Sequence, residues 1–205
     1  MKYIYFTSIS LILFSYSGCG DDSATNTTPP GAVLIFLEQF SNGLDTNWIN
    51  ISASTDSSTG NAAPSLECDT NALLTWTRLS LSPYSGSTIS TDIAVLPNAG
   101  GFGRFIVFDT AFNTLALSEI KLSRNGSNLH LNCIIGTSAT NVDVPYDSLF
   151  HKYSFKVESN GAAAWQRDGT TLHSFQNYPL TSRLRMKYTS TGYNIRYDNV
   201  KVTVP

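Results

Sequence analysis

Hydrophobic and polar residues alternate with a period of two over most of the chain after residue 32. In residues 151–158, Tyr153, Phe155 and Val157 occupy one set of alternate positions, and charged or hydroxyl residues occupy most of the other. Residues 183–188 repeat the pattern. Such alternation predicts strands that pack one face against a core and expose the other to water. No long stretch carries a helical period, so we predict an all-β domain over residues 33–205.

Two further segments, residues 33–40 and 102–108, are apolar at most positions on both faces. Strands that are covered on both faces have this composition. We therefore expect both segments to be central strands.

Turn-forming dipeptides separate the predicted strands. Asn42-Gly43, Asn125-Gly126, Asn160-Gly161 and Asp168-Gly169 each tolerate a positive φ angle and can close a hairpin. About a dozen short strands with such turns, and with no helices between them, predict two packed antiparallel sheets, which is a β-sandwich.

The last predicted strand contains a shift in its alternation. The apolar positions before Asp198 have one parity, and those after Asn199 have the other. A slip of one residue predicts a β-bulge at this point. The bulge would redirect the carboxylate of Asp198.

The first nineteen residues differ from the rest of the chain. Lys2 precedes an apolar run over residues 3–14, which is shorter than the ~20 residues that a membrane-spanning helix needs. We therefore predict a signal peptide over residues 1–18. The segment Tyr16-Ser17-Gly18-Cys19 resembles the bacterial lipobox, which implies a lipid on Cys19. The alternative is an ordinary leader that leaves the Cys19 thiol free.

The residues after Cys19 are polar and turn-prone, which predicts a flexible tether over residues 19–32. Gly20 and Asp21 do not resemble an inner-membrane retention signal. We expect a protein of the cell envelope, held by its lipid at the outer membrane or cell surface, with the sandwich domain over residues 33–205.

Composition and charge exclude one class of partner. Charged residues make up 14% of the chain, the formal net charge is -2, and the basic residues are scattered. A nucleic-acid-binding surface needs clustered positive charge to neutralise phosphates. We expect no nucleic acid as a partner.

Two cysteines remain if Cys19 carries lipid. Cys68 and Cys133 could form a disulfide in an oxidising compartment. Alternatively, both are small buried strand residues, as cysteine often is. The alternation of residues 129–135 points Cys133 inward and leaves both interpretations open.

Three segments together resemble the concanavalin A-like jelly rolls, the superfamily of laminin-G-like modules, legume lectins and several glycanases. They are residues 37–45 followed by Trp48, residues 152–169 with their Asp-Gly turn, and residues 197–202. The resemblance covers residues 33–205 and implies a jelly-roll sandwich. Fold alone does not fix function.

The resemblance implies two kinds of acidic site. One glucanase family of this fold carries Glu-x-Asp-x-x-Glu on a strand, and Glu67 and Asp69 match its first two positions while Ala72 replaces the second glutamate. Because alanine cannot donate a proton, these residues are weak catalytic candidates.

Binding modules of this fold also hold a structural calcium between the first and last strands, which makes Glu38 and Asp198 candidate ligands. The alternative is that Glu38 caps an edge of the sheet and Asp198 hydrogen-bonds its own turn.

Sugar binding on such scaffolds uses exposed aromatic rings together with amide and carboxylate groups. Tyr146 and Tyr178, each beside a proline, are the preferred exposed rings, and Trp165 is a third candidate. We therefore expect a noncatalytic module that binds a glycan or a surface protein. The alternatives are a glycan hydrolase or lyase, and a structural coat lipoprotein.

Overall fold

The structure is a computed structural model that describes residues 32–42, 44, 48–56, 58, 60, 64–76, 86–97, 100–109, 118–178, 184–190 and 195–205. These residues form thirteen β-strands and no helix. The strands are β1 Val33–Glu38, β2 Trp48–Asp56, β3 Ser65–Trp76, β4 Thr88–Val95, β5 Gly103–Asp109, β6 Ser118–Asn125, β7 Asn128–Ile135, β8 Ser138–Pro145, β9 His151–Val157, β10 Ala163–Arg167, β11 Thr170–Phe175, β12 Leu184–Ser190 and β13 Ile195–Val204.

Every strand pairing is antiparallel, and the strands follow one hydrogen-bonded path. The order is β11-β10-β9-β4-β13-β3-β12-β5-β6-β7-β8, with β1 beside β13 and β2 beside β3. The two ends of this path stack on each other. The indole Nε1 of Trp165 on β10 donates to the carbonyl of Ile134 on β7 (3.0 Å), and Thr140 on β8 bonds His173 on β11 (2.9 Å).

The long strand β3 joins the two stacked layers. Its first half pairs with β13 through Glu67 and Arg196, and its second half pairs with β12 through Thr75 and Lys187. The first layer therefore contains β11, β10, β9, β4, β13 and β1, and the second contains β12, β5, β6, β7 and β8. This architecture confirms the predicted two-sheet β-sandwich.

An aromatic cluster fills the space between the layers. Phe105 from the second layer packs edge-on against Trp165 of the first layer (5.4 Å between ring centroids) and stacks on Tyr188 (5.1 Å). Tyr188 in turn contacts Tyr197 (4.8 Å), and Phe155 contacts Trp165 (5.0 Å). All five side chains are fully buried. Burial of each ring contributes roughly 1.5 to 3 kcal/mol, so this cluster is a main source of the attraction between the layers.

The turn at Asp168-Gly169 and the bulge at Asp198 agree with the predictions from the sequence. Asp168 and Gly169 have φ angles of 49° and 81° and close the β10–β11 hairpin, as predicted for an Asp-Gly turn. The predicted bulge in the last strand is also present, because the register between β13 and β4 shifts between Asp198 and Lys201. Asn199 has a φ of 46° at this bulge.

The expectation that residues 33–40 form a central strand is wrong. Within the described residues β1 pairs with β13 alone, and Val33 and Leu34 are 56% and 41% exposed. An apolar run shows that a strand is hydrophobic, but its place in the sheet depends on pairing with distant residues. The segment at 102–108 does contribute a central strand, since β5 lies between β12 and β6.

Cys133 is a free and fully buried cysteine, so the disulfide with Cys68 is wrong for this structure. Burial raises the pKa of the Cys133 thiol to about 12. The side chain points between the layers beside Leu131 and Ile135, which are also buried. The alternative interpretation, a small apolar strand residue, therefore describes Cys133.

The N-terminal segment that carries the predicted signal peptide, with Cys19, lies outside the described residues. Among the residues that the structure does describe, no helix is long and apolar enough to cross a membrane.

Candidate functional site

Two of the three aromatic residues that we predicted to bind a ligand are buried in the structure. Trp165 is fully buried in the aromatic cluster. Tyr178 is buried as well, with its ring 5.3 Å from that of Phe155 and its hydroxyl 3.3 Å from the Ser118 hydroxyl. Both rings pack between the layers because β10 and the end of β11 lie over the second layer. Neither ring is available to a ligand.

Tyr146 follows β8 and is partly exposed, but its ring is covered. The guanidinium carbon of Arg124 lies 4.2 Å from the ring centroid. The backbone N–H of Tyr146 donates to the carbonyl of Ser127 (2.9 Å), which fixes this segment beside the β6–β7 turn. A cation over the ring contributes roughly 0.5 to 1 kcal/mol at such a site. A sugar would have to displace it in order to stack.

Glu67, the weak catalytic candidate whose side chain the structure describes, lies on β3 beside Arg196 of β13. Glu67 forms an ion pair with Arg196 (Oε1 to Nη2, 2.9 Å), and the Arg196 Nε donates to Asp56 (2.9 Å). Asp69 lies within a break in the β2–β3 register, and its side chain lies outside the described residues. Glu67 therefore already has an ion-pair partner, and Ala72 stands where the motif has its second glutamate.

Glu67, Arg196 and Asp56 belong to a larger polar surface. We call it the buried-charge face, and it consists of Asp56, Glu67, Asp92, Arg196 and Asp198. Asp92 and Asp198 are directly opposite each other on β4 and β13, and both are buried. Asn199 connects them, because its backbone N–H donates to Asp198 (2.7 Å) and its amide donates to Asp92 (2.9 Å). Burying charge is costly without partners. The hydrogen bonds from Asn199 to both carboxylates therefore indicate that Asp92 and Asp198 have a structural role.

The predicted calcium ligands are on neighbouring strands, as the resemblance implied, since Glu38 on β1 is paired in register with Val200 on β13. Each carboxylate accepts a backbone N–H of its own turn: Glu38 from Phe40 and Asp198 from Asn199, both at 2.7 Å. Calcium takes six to eight oxygen ligands. Among the described residues, no group of three or more His, Cys, Asp or Glu side chains could hold a metal ion.

The opposite side of the sandwich presents a different surface. Residues Phe105, Ile120, Leu131 and Cys133 of β5, β6 and β7 point into the core, so the alternate positions point outward. We call this outward surface the amide face, and it consists of Arg104, Glu119, Lys121, His130, Asn132, Asn141 and Asp143.

Strand register aligns four of these side chains in one row. Arg104, Lys121, Asn132 and Asn141 are successive cross-strand partners on β5, β6, β7 and β8. The row spans three strand spacings, about 14 Å. The Asn132 amide donates to the Asn141 side-chain oxygen (2.7 Å), and beside it His130 Nδ1 contacts Asp143 (2.6 Å). The row therefore offers amide donors and acceptors in fixed positions.

Glu119 lies next to this row and is nearly buried. Its Oε1 is 3.1 Å from the Nε of Arg104, although the Nε–H is not directed along a hydrogen bond. Within the part of the chain that the structure describes, Lys121 reaches no carboxylate and instead places its Nζ 3.9 Å from the centroid of the Phe102 ring. Arg104 lies near the same ring, with its guanidinium carbon 4.6 Å from the centroid.

Sequence reasoning missed the amide face, although a signal for it was present. The turns after Asn125 and Ile135 set the register of the β6–β7 and β7–β8 hairpins. Continuing the alternation through those turns would have aligned Lys121 with Asn132 and Asn132 with Asn141. The contact between β5 and β6 lacks such a turn signal, because residues 110–117 separate the strands in sequence.

A third polar cluster lies at one end of the sandwich. His151 contacts Asp168 through Nδ1 (2.6 Å) and Asp147 through Nε2 (2.8 Å). Desolvation raises the pKa of Asp147, but the hydrogen bonds from His151 and the Leu149 backbone, with the charges of His151 and Arg167, outweigh it and lower the pKa. The cluster connects the loop after β8 to the Asp168-Gly169 turn, so it stabilises the end of the sandwich.

Comparison with known proteins identifies the fold. No protein-family model matches the chain, and no curated protein matches it in sequence. Solved structures do match. An endo-β-galactosidase from Clostridium perfringens that releases GlcNAcα1-4Gal has a TM-score of 0.60 at 12% identity, over 86% of this chain and 64% of that one.

Two further structures match over most of both chains. The globular domain of T. cruzi calreticulin has a TM-score of 0.58 at 9% identity, over 83% of this chain and 87% of that one. A Bacillus licheniformis β-glucanase has a TM-score of 0.51 at 16% identity, over 82% and 95%. This chain therefore has the concanavalin A-like jelly-roll fold, as the sequence resemblance implied. Sequence identities this low establish the fold alone.

Proposed function

We propose that the domain is a noncatalytic module that binds a carbohydrate on the amide face. We also propose that the chain is exported and held in the cell envelope by a lipid on Cys19, at the outer membrane or cell surface. The observation that carries the binding proposal is the row of Arg104, Lys121, Asn132 and Asn141 across four rigid strands. A glycan presents hydroxyl groups at regular intervals, and fixed amide and cationic groups can bind them.

The solved structures that share the fold support a glycan as the ligand. The names of two of them, the β-glucanase and the endo-β-galactosidase, state that they act on carbohydrates. A protein partner remains the alternative ligand, because a shared fold does not fix the ligand.

The carboxylates of the amide face favour binding over hydrolysis. Glycoside hydrolysis requires two carboxyl groups about 5 to 9.5 Å apart, one of which donates a proton. Glu119 is close to the Arg104 guanidinium, and Lys121 follows it at the next outward position of β6. The other carboxylate of the face, Asp143, is two strands away and contacts His130. By strand register Glu119 is opposite Ile134 and Asp143 is opposite His130, so the two carboxylates are two strands and four residues apart, which is farther than hydrolysis requires.

A glycan array with the purified protein tests the binding proposal. We expect at least one glycan class to bind, and Asn132→Ala and Asn141→Ala each to weaken that binding about tenfold through loss of hydrogen bonds. Gln166→Ala is the matched control, since it removes an amide from β10 in the first layer. We expect it to bind like the parent protein. Binding that neither asparagine variant affects would reject the amide face as the site.

The same preparation separates binding from hydrolysis. Incubation with each bound glycan should release no new reducing ends. Release that disappears in Glu119→Gln, with binding retained, would show that the face is catalytic.

Mass analysis of the mature N-terminus tests the anchor. We expect a chain that begins at Cys19 and carries acyl groups, and we expect Cys19→Ser to leave the membrane fraction. A mature chain that begins elsewhere, without acyl mass, would contradict the lipid anchor.

A further inference from the structure

The amide face offers no open aromatic ring among the described residues that form it. Lys121 and Arg104 both lie against Phe102, the ring at its border, and Arg124 covers Tyr146 beyond the end of β8. Stacking on aromatic rings is the usual apolar contribution to sugar binding. Without it, affinity at this face has to come from hydrogen bonds, and those that involve a charged group are about twice as strong as neutral ones.

The formal charges of the face cancel, but its positive charge is concentrated at Arg104 and Lys121, because the second carboxylate, Asp143, lies on β8, two strands from Lys121. Glu119 has Arg104 at 3.1 Å, and Asp143 has His130 at 2.6 Å. The Lys121 ammonium has no carboxylate within ion-pair distance among the described residues and contacts the Phe102 ring instead. A cation–π contact orients an ammonium group without neutralising it. The positive charge is local, because the chain as a whole carries a formal net charge of -2.

Lys121 is also placed to act together with the amides. It lies between Arg104 and Asn132 in the four-strand row, so an anionic group at Lys121 would have a second cation on one side and an amide on the other. The exposed end of the row at Asn141 leaves room for the ligand to continue along it.

From this arrangement we infer that the glycan bound by the amide face is anionic and that Lys121 binds its carboxylate or sulfate group. This inference rests on the proposed function and gives the class of its ligand. Arg104 assists as the neighbouring cation, while Asn132 and Asn141 bind hydroxyl groups of the adjoining sugar.

Matched polysaccharides test the inference. Polygalacturonate is compared with its methyl-esterified form, which lacks the free carboxylate, and dextran sulfate is compared with dextran. We expect the anionic member of at least one pair to bind about tenfold or more tightly, and the preference to fall as salt is raised. The pair that shows the preference identifies the group as a carboxylate or a sulfate.

Three variants distinguish specific binding at Lys121 from non-specific electrostatic attraction between the protein and the polysaccharide. Lys121→Met should lose about tenfold in affinity for the anionic polysaccharide, and Lys121→Arg should retain binding because it keeps the charge. Lys152→Met is the matched control, since it removes an exposed lysine of β9 in the first layer and should bind like the parent. Circular dichroism confirms that each variant is folded.

The outcomes are distinct. Equal or tighter binding of the neutral members, an unaffected Lys121→Met variant, or an equal loss in Lys152→Met would overturn the inference while a glycan-binding function remained. Failure of every glycan on the array to bind would instead reject the proposed function.

Discussion

The two outer faces of the sandwich carry similar residue types in different surroundings. On the buried-charge face, the Arg196 side chain is 7% exposed and contacts two carboxylates. On the amide face, the Arg104 side chain is 36% exposed and contacts one. Charges that are withdrawn from water need fixed partners, whereas partly hydrated charges can exchange water or a neighbour for a ligand. Burial, more than residue type, therefore distinguishes the two arginines, and the more hydrated one lies on the face that we propose binds a glycan.

The position of each face on its layer accounts for this difference. Asp92, Asp198 and Arg196 lie on β4 and β13, in the middle of the first layer. Asn141 and Asp143 lie on β8, at the end of the strand path, and are exposed. The central strands bury polar side chains that an edge strand leaves in water.

The largest expected effect comes from the core that both faces share. Trp165→Ala should lower the free energy of unfolding by about 3 to 5 kcal/mol, because it removes a fully buried ring and leaves the Ile134 carbonyl without its indole donor. Urea denaturation monitored by circular dichroism measures the change.

Leu149→Ala is the control for this prediction, since Leu149 is 64% exposed, and it should change stability by about 0.5 kcal/mol or less. A Trp165→Ala protein as stable as the Leu149→Ala protein would mean that the two layers are not held together by the aromatic cluster.

The next largest effect compares the two arginines directly. Arg196→Met should cost about 3 kcal/mol of stability, because Asp56 and Glu67 lose the cation that compensates them. Arg104→Met should cost less, about 1 to 2 kcal/mol, because Arg104 is 36% exposed and compensates one carboxylate, Glu119, where Arg196 compensates two, and it should also weaken glycan binding.

Both variants are measured by urea denaturation and by binding to the same polysaccharide. Equal losses of stability, or a loss of binding in a folded Arg196→Met protein that matches the loss in Arg104→Met, would remove the distinction between the faces.

The smallest effect concerns the exposed cluster at the end of the sandwich. His151→Gln removes the hydrogen bond and charge that help to lower the pKa of Asp147, so that pKa should rise towards its ordinary value of 3.8. A lowered carboxyl pKa in the folded state contributes stability above the unfolded pKa, and the contribution is lost as pH falls through the folded pKa. The variant should therefore lack this small contribution at pH values above about 4.

Carbon-13 NMR titration of the Asp147 carboxyl group measures the shift. His173→Gln serves as control, because His173 bonds the Thr140 hydroxyl and, among the described residues, contacts no carboxylate. A pKa of Asp147 that does not change in His151→Gln would show that His151 is not the group that lowers it.

Much of the fold followed from local sequence information. Alternation predicted the strands, the Asp168-Gly169 turn and the Asp198 bulge, because each depends on side chains within a few residues of each other. The inward position of Cys133 followed from the same parity.

The candidate site was less accessible to sequence reasoning. The placement of Tyr178 and Trp165 in ligand-binding positions was wrong, because a ring near a turn can fold over the opposite layer as easily as it can face water. Glu67 was noticed for its motif, but its partner Arg196 lies 129 residues later, and no local pattern joins them. The prediction of a lipid on Cys19 stays a prediction.

The alternation of residue types along the chain is enough to establish an all-β sandwich, since a period of two is a local property of each strand. Which polar side chains are buried as ion pairs, and which form the row from Arg104 to Asn141, depends on how the strands pair. Parity states which residues share a face of one strand, whereas charge, hydration and ligand access depend on the strands beside and above it. Those neighbours are chosen by contacts between residues that are distant in sequence.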